Sequence, residues 1–264
     1  MFIIGLLDKQ VKQVTVLLKA VKILFLLPVF WSILFIASIL LYIFAYLPRS
    51  FSGHFYHYLA RLWCRLFVLS LNVKLCLVKK HQQPVPEQFI LIANHPSALE
   101  DFAIPALFDV YPLAKTEVRD WFILGRISDY AGSVYVDREN SRSRYTALQS
   151  LASAVELGKN IVIFPEGGCK GKRIHTEFKT GAFEIALRTG IPVLPVFLHY
   201  LDQDAFVWRD ESLIKKLWQI FRAKDKRANY YLHDAISPSG YSNKLEFAEA
   251  VRQKYLDWQR DYLD

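Results

Sequence analysis

The chain has 264 residues, 53% of them apolar, and a formal charge of +8 at neutral pH. This is material for one sizeable domain and an accessory segment, at about 100–200 residues per domain. Residues 1–80 hold ten Lys or Arg against the single acid Asp8, so the positive excess sits beside an uncharged, membrane-length run; attraction to anionic lipid headgroups explains both features, and a nucleic-acid partner does not.

That run is Ile23 to Leu47, with Pro28 and Ser32 inside it and Pro48-Arg49 closing it. As one helix it would exceed the roughly 30 Å of a hydrocarbon layer. It is too long, and begins too late, for a secretory signal. Lys9, Lys12, Lys19 and Lys22 precede it, while Arg49, Arg61 and Arg65 follow. With both flanks basic, charge gives no orientation. A single crossing and a re-entrant hairpin bent near Pro28 both fit. Residues 1–52 are therefore expected to form a membrane-inserted helical segment, and residues 53–264 a separate body.

Tyr56 to Leu71 continues as an amphipathic helix whose apolar face would pack on that body while Arg61 and Arg65 snorkel. The cysteines (Cys64, Cys76, Cys169) are odd in number and lack metal-ligand spacing. With no glycosylation sequon, they suggest free thiols facing a cytosol and no metal site. Beyond a polar link, Lys79 to Glu87, strands and helices alternate. Strands are expected at Phe89–Ala93, Leu113–Lys115, Ser133–Val136, Ile161–Phe164, Val193–Phe197 and Tyr230–Leu232. Helices are expected from Ser97 to about Phe108, over Trp121–Tyr130, Ser141–Leu157 and Gly181–Thr189, and in a final segment capped by Ser242 or Asn243. Such alternation indicates an α/β fold, a mostly buried mixed sheet flanked by helices.

Four junctions just beyond strand ends carry the polar chemistry, where α/β domains usually place ligands. In the first, Asn94-His95-Pro96-Ser97, Pro96 ends the strand and Ser97 can open a helix as a capping box with Glu100. An imidazole is thereby set near a carboxylate, the minimum equipment for taking a proton from an alcohol. The second, Gly132 to Arg138, puts a guanidinium fork after a strand, a shape suited to phosphate. The third is Phe164-Pro165-Glu166-Gly167-Gly168 with Lys170, Lys172 and Arg173 behind it; its glycines admit close backbone approach and its basic cluster suits an anion. The fourth, Gly190 to Val196, reads as structural.

These motifs, in this order, resemble the glycerolipid acyltransferase family, whose best-known members are 1-acylglycerol-3-phosphate acyltransferases. The family's Asn-His-x-Ser-x-x-Asp is matched by Asn94, His95 and Ser97, with Glu100 at the acid position. Its second motif is matched by Gly132 to Arg138, and its Phe-Pro-Glu-Gly by Phe164 to Gly167. Two departures stand out. Glu100 replaces the usual Asp and Asp101 follows it, so either carboxylate could serve His95; Glu100 keeps the spacing and is the expected partner. The family commonly continues with Thr-Arg, where this chain has Gly168-Cys169.

The resemblance implies a membrane-bound enzyme that moves an acyl chain from acyl-coenzyme A or acyl carrier protein, as cosubstrate, to a lysolipid hydroxyl. No bound cofactor, metal or nucleic acid is implied. His95 would be general base and Glu100 its partner. Arg138, Lys115 and the Glu166-Gly167 turn would position the acceptor, with Ser97, Asp101, Gly168, Lys170, Lys172 and Arg173 as further candidates. Lysophosphatidic acid is the default acceptor, and lyso-ornithine lipid or another lysolipid the alternative. The body would face the cytoplasm at a bacterial inner membrane. A membrane esterase is disfavoured because the chain has no Gly-x-Ser-x-Gly elbow, and a silent lipid-binding protein because His95 and a carboxylate are both kept.

Overall fold

In Ile90–Ala93 (β2) all four residues are buried, because both faces of the strand are covered. Ile90 and Ile92 point into one core layer and Leu91 and Ala93 into the other, as a period-two strand requires. The computed structural model describes residues 27–209 and 211–264. Around β2 lie Lys74–Lys79 (β1), Tyr111–Lys115 (β3), Val134–Val136 (β4), Ile161–Ile163 (β5), Val193–Tyr200 (β6) and Arg227–Leu232 (β7). They form one seven-stranded sheet in the order β1-β7-β6-β2-β5-β3-β4. All neighbours are parallel except β6 and β7, which makes the sheet mixed, as expected.

The helices are Leu27–Phe44 (α1), Arg49–Ser70 (α2), Glu100–Leu107 (α3), Thr116–Arg119 (α4), Leu124–Tyr130 (α5), Ser141–Glu156 (α6), Gly181–Thr189 (α7), Gln203–Phe206 (α8), Leu213–Arg222 (α9) and Lys244–Leu263 (α10). Those before β4, together with α8 and α9, cover one face of the sheet; α6, α7 and α10 cover the other. Asn243 caps α10 by accepting from the Leu245 and Glu246 N–H groups. Gly190 ends α7 at φ 73°, a left-handed position that suits glycine.

Within the described residues the apolar run before Pro48 is helix α1. It stops at Phe44, turns through residues 45–48 and returns as α2. The two helices pair antiparallel: Tyr56 Oη donates to the Leu41 carbonyl at 3.0 Å and Trp63 Nε1 to Ser38 Oγ at 2.8 Å. Helix α1 covers 18 of the described residues, about 27 Å at 1.5 Å per residue. Among the described residues no helix is long and apolar enough to cross a membrane, so the single crossing is not found there. The lysines before Ile23 and the stretch leading to Pro28 lie outside the described residues. Leu34 and Leu41 join the core of the sheet, and the boundary expected at residue 52 falls within α2.

Arg61 and Arg65 do not snorkel. Arg61 Nε donates to the Pro105 carbonyl at 3.2 Å and Arg65 Nε to that of Ala106 at 2.8 Å, while Arg61 also pairs with Asp109 at 3.0 Å. The last turn of α3 has unpaired carbonyls and no basic residue of its own, so α2 supplies the donors from outside.

Candidate active site

The carboxyl ends of β2, β3, β4 and β5 open on one cavity of about 620 Å³. Because these strands run parallel, the junctions after them converge at one edge of the sheet. His95, Asp101, Lys115, Arg138, Gly167, Gly168 and Lys170 all line it.

The loop after β2 is pinned from below. Asn94 spends both amide atoms on one residue, donating to the Leu198 carbonyl at 3.0 Å and accepting from its N–H at 2.7 Å. Tyr255 Oη, from α10, donates to the Ile92 and Val196 carbonyls. With its backbone held, the His95 ring stacks flat on Phe164, centroids 4.0 Å apart and planes 9° apart. Its Nδ1 lies 3.0 Å from Glu100 Oε2. Nδ1 is thus engaged with the carboxylate, and the opposite nitrogen is left for a reacting group.

Glu100 is fully buried. Its Oε2 also accepts from the Ser97 N–H at 3.0 Å, and its Oε1 accepts a short bond from the Tyr200 hydroxyl. Burial pushes the carboxyl up to about 8, and the Tyr200 and Ser97 donors pull it back. Burial lowers the His95 pKa, with Asp101 opposing that and Arg138 adding to it. The expected capping box is only half made. Glu100 receives the Ser97 N–H, but Ser97 Oγ accepts from Leu99 at 3.3 Å and Leu99 stands at the N-cap. Glu100 serves His95 instead of acting purely as a cap.

Asp101 makes no bond to His95. It is exposed within the cavity yet walled in closely enough that burial raises its pKa, with His95 and Arg138 acting the other way. Glu166 is buried below the loop after β5. Burial raises it to about 8, and the His95 backbone N–H draws it back, so it links the two loops.

Arg138 lines the cavity, and no carboxylate lies within ion-pair distance of it among the described residues. Neither neighbour, Asp137 or Glu139, pairs with it. Its Nη1 would stand 2.9 Å from a Cβ at position 168, where φ is +151°. Lys115 pairs with Glu117 at 3.1 Å at the rim. The loop's other cations divide: Lys170 lines the cavity, whereas Lys172 pairs with Asp204 at 2.7 Å and Arg173 with Asp264 at 2.5 Å. Neither of these two reaches the cavity, because acids from α8 and the chain's last residue hold them. Tyr200, bonded to Glu100, and Trp208, on the cavity wall, are site residues that no motif marked, and Phe164 of the third motif serves as the stacking partner of His95.

The Acyltransferase family profile matches residues 75–199. Over 187 residues the chain is 29% identical to the 1-acyl-sn-glycerol-3-phosphate acyltransferase of Neisseria meningitidis, covering 66% of this chain and 73% of that protein. It is 30% identical over 174 residues to the lyso-ornithine lipid O-acyltransferase of Pseudomonas aeruginosa, covering 64% and 66%. The crystal structure of the 1-acyl-sn-glycerophosphate (LPA) acyltransferase from Thermotoga maritima superposes with a TM-score of 0.68 at 18% identity, covering 92% of this chain and 96% of that one, a likeness of fold.

Proposed function

The chain belongs to the acyltransferase family and is an O-acyltransferase acting on glycerolipids, and from that premise we propose that it transfers a fatty acyl group from acyl-coenzyme A or acyl carrier protein to the free hydroxyl of 1-acylglycerol-3-phosphate, giving phosphatidic acid. One observation carries the reading: a buried His95–Glu100 pair faces a cavity that also holds Arg138.

The nitrogen of His95 turned away from Glu100 takes the hydroxyl proton as the oxygen attacks the thioester carbonyl. Glu100, itself steadied by Ser97 and Tyr200, stabilises the imidazolium as it forms. The carbon–sulfur bond then breaks, the thiolate leaves, and the imidazolium returns the proton to it. Arg138 and Lys170, both on the cavity wall, would hold the acceptor's phosphate, and positioning of this kind contributes a large share of the rate. The apolar cavity wall from α2 and α3, including Trp63 and Phe102, suits acyl chains.

The enzyme works at a membrane surface. Helix α1 leaves large apolar side chains outward, with Phe35 62% and Leu40 61% exposed, more than a water-facing helix ordinarily shows. In this reading the hairpin enters one leaflet from the cytoplasmic side of a bacterial inner membrane. A lyso-ornithine acceptor is the second reading, favoured by the Pseudomonas similarity and by Gly168-Cys169 in place of Thr-Arg. Labelled acyl-coenzyme A and acyl carrier protein, offered with a panel of lysolipids to the wild type and to His95→Ala, test the proposal. Transfer to lysophosphatidic acid that His95→Ala abolishes is the expected result; turnover that survives His95→Ala would remove the base, and a preference for lyso-ornithine lipid would replace the acceptor.

A further inference from the structure

Helix α9 turns Ile220 into the core and leaves two large apolar side chains outward. One of its two lysines, Lys216, is buried, pairing with Glu211 at 2.5 Å and donating to the Val207 carbonyl at 2.6 Å. Ile214, 81% exposed, and Trp218, 58% exposed, point outward four residues apart. A helix covering a soluble core ordinarily keeps such large apolar side chains inward and its lysines outward. Around these two side chains the charge is positive. Lys215, Arg222 and Lys224 are exposed and have no ion-pair partner within 4 Å among the described residues, and the Arg222 guanidinium lies 5.9 Å from the Trp218 ring.

The position of this face is as informative as its composition. Ile220 of α9 packs into the same core layer as the hairpin, so α9 lies on the hairpin's side of the sheet. Both border the cavity: Phe122 stands 5.5 Å from Tyr42 of α1 with Trp121 beside it on the cavity wall, and Leu213, the first residue of α9, also lines that wall. Tryptophan beside basic residues is the side-chain pairing that favours a bilayer's headgroup layer.

We propose that α9 is a second membrane foot, which lays Ile214 and Trp218 into the headgroup region of an anionic bilayer, so that the cavity is held against the lipid between α9 and the hairpin. The inference rests on the membrane-bound reading above and adds a surface to it. An acceptor could then pass from the leaflet into the cavity without crossing water.

The hairpin would hold the chain on a vesicle in any case, so the readout must be local. Full-length wild type and Trp218→Phe are bound to phosphatidylglycerol–phosphatidylcholine vesicles carrying brominated acyl chains, and tryptophan quenching is compared. Loss of a quenchable component in Trp218→Phe is the expected result. In a second arm, Ile214→Glu with Trp218→Glu should raise KM for a vesicle-borne acceptor several-fold, while turnover of a short-chain acceptor below its micelle concentration stays unchanged. Removing Lys215 and Lys224 together should weaken the quenching on anionic vesicles by about fivefold per charge, and not on zwitterionic ones. Equal quenching of two vesicle-bound proteins would overturn the inference and leave the membrane reading standing. Failure of both proteins to bind vesicles would overturn both. A dimer in solution that Trp218→Glu dissociates would assign the face to a second copy of the chain and overturn the lipid assignment.

Discussion

Tyr200→Phe removes one oxygen from the buried heart of the site. Tyr200 and Glu100 are both buried, and the hydroxyl is the donor to Glu100 Oε1. A hydrogen bond to a charged acceptor is worth about 1.5–3 kcal/mol. Since that bond stabilises the carboxylate which meets the imidazolium, kcat should fall by about tenfold to a hundredfold. Neither substrate touches Tyr200 in the proposed reaction, so both KM values should stay near the wild type. The pH dependence carries the sharper test. Tyr200 holds the Glu100 pKa down against burial, so its loss raises that pKa and leaves less carboxylate at neutral pH. The deficit should therefore be largest at and below pH 8 and shrink as the pH rises above it. Steady-state kinetics from pH 6 to 10 on purified protein decides this. A Tyr200→Phe enzyme with unchanged kcat and a lowered melting temperature would show that the hydroxyl only holds β6 in place.

Glu100→Gln should lower kcat by roughly a hundredfold or more while Asp101→Asn remains close to wild type; the reverse ranking in one assay would move the partnership to Asp101. Arg138→Lys keeps the charge but not the fork, so the acceptor's KM should rise with the donor's nearly unchanged. Lys172→Ala and Arg173→Ala should leave both constants alone, because acids elsewhere hold those side chains; a rise in acceptor KM would return them to the site. Glu100 and Glu166 both lie at about 8, against 4.5 ordinarily. The folded state therefore keeps protons that the unfolded chain has released, and stability should fall as pH rises from about 4.5 to 8. Melting temperatures across that range should show the slope, and Glu100→Gln should flatten it.

Local pattern made much of this fold legible. The buried strands β2, β5 and β6 announce themselves as apolar runs, and α7 ends where Gly190 stops it. What local pattern hides is anything whose partner is distant. Edge strand β1, absent from the expected strands, has only exposed and half-buried residues and so no buried apolar run to mark it. Helix α9 is absent from the expected elements, and its central Lys216 looks solvent-facing until Glu211 and the Val207 carbonyl are brought to it. Within the site, the proximity of His95 and Glu100 follows from five residues of chain. Tyr200 approaches from 100 residues away, and no spacing rule could place it there. Lys172 and Arg173 looked like part of an anion cluster because Asp204 and Asp264 are remote in sequence.

The departure after Phe-Pro-Glu-Gly has a steric meaning that residue types alone do not reveal. Gly168 leaves room that the Arg138 guanidinium occupies: a Cβ there would lie 2.9 Å from Nη1, and the backbone at φ +151° also disfavours any side chain. A threonine at this position and Arg138 in its present place are mutually exclusive. The next residue, Cys169, is half-buried and its thiol is pushed upward by burial, so it stays neutral and adds no cation where the family commonly has arginine. Past this turn the cavity wall carries the cations Arg138, after β4, and Lys170, on the loop after β5, beside Lys115 and Arg61. In the proposed reaction, discrimination among acceptors would then turn on the guanidinium fork of Arg138, which can grip a phosphate through two parallel bonds as a lysine cannot.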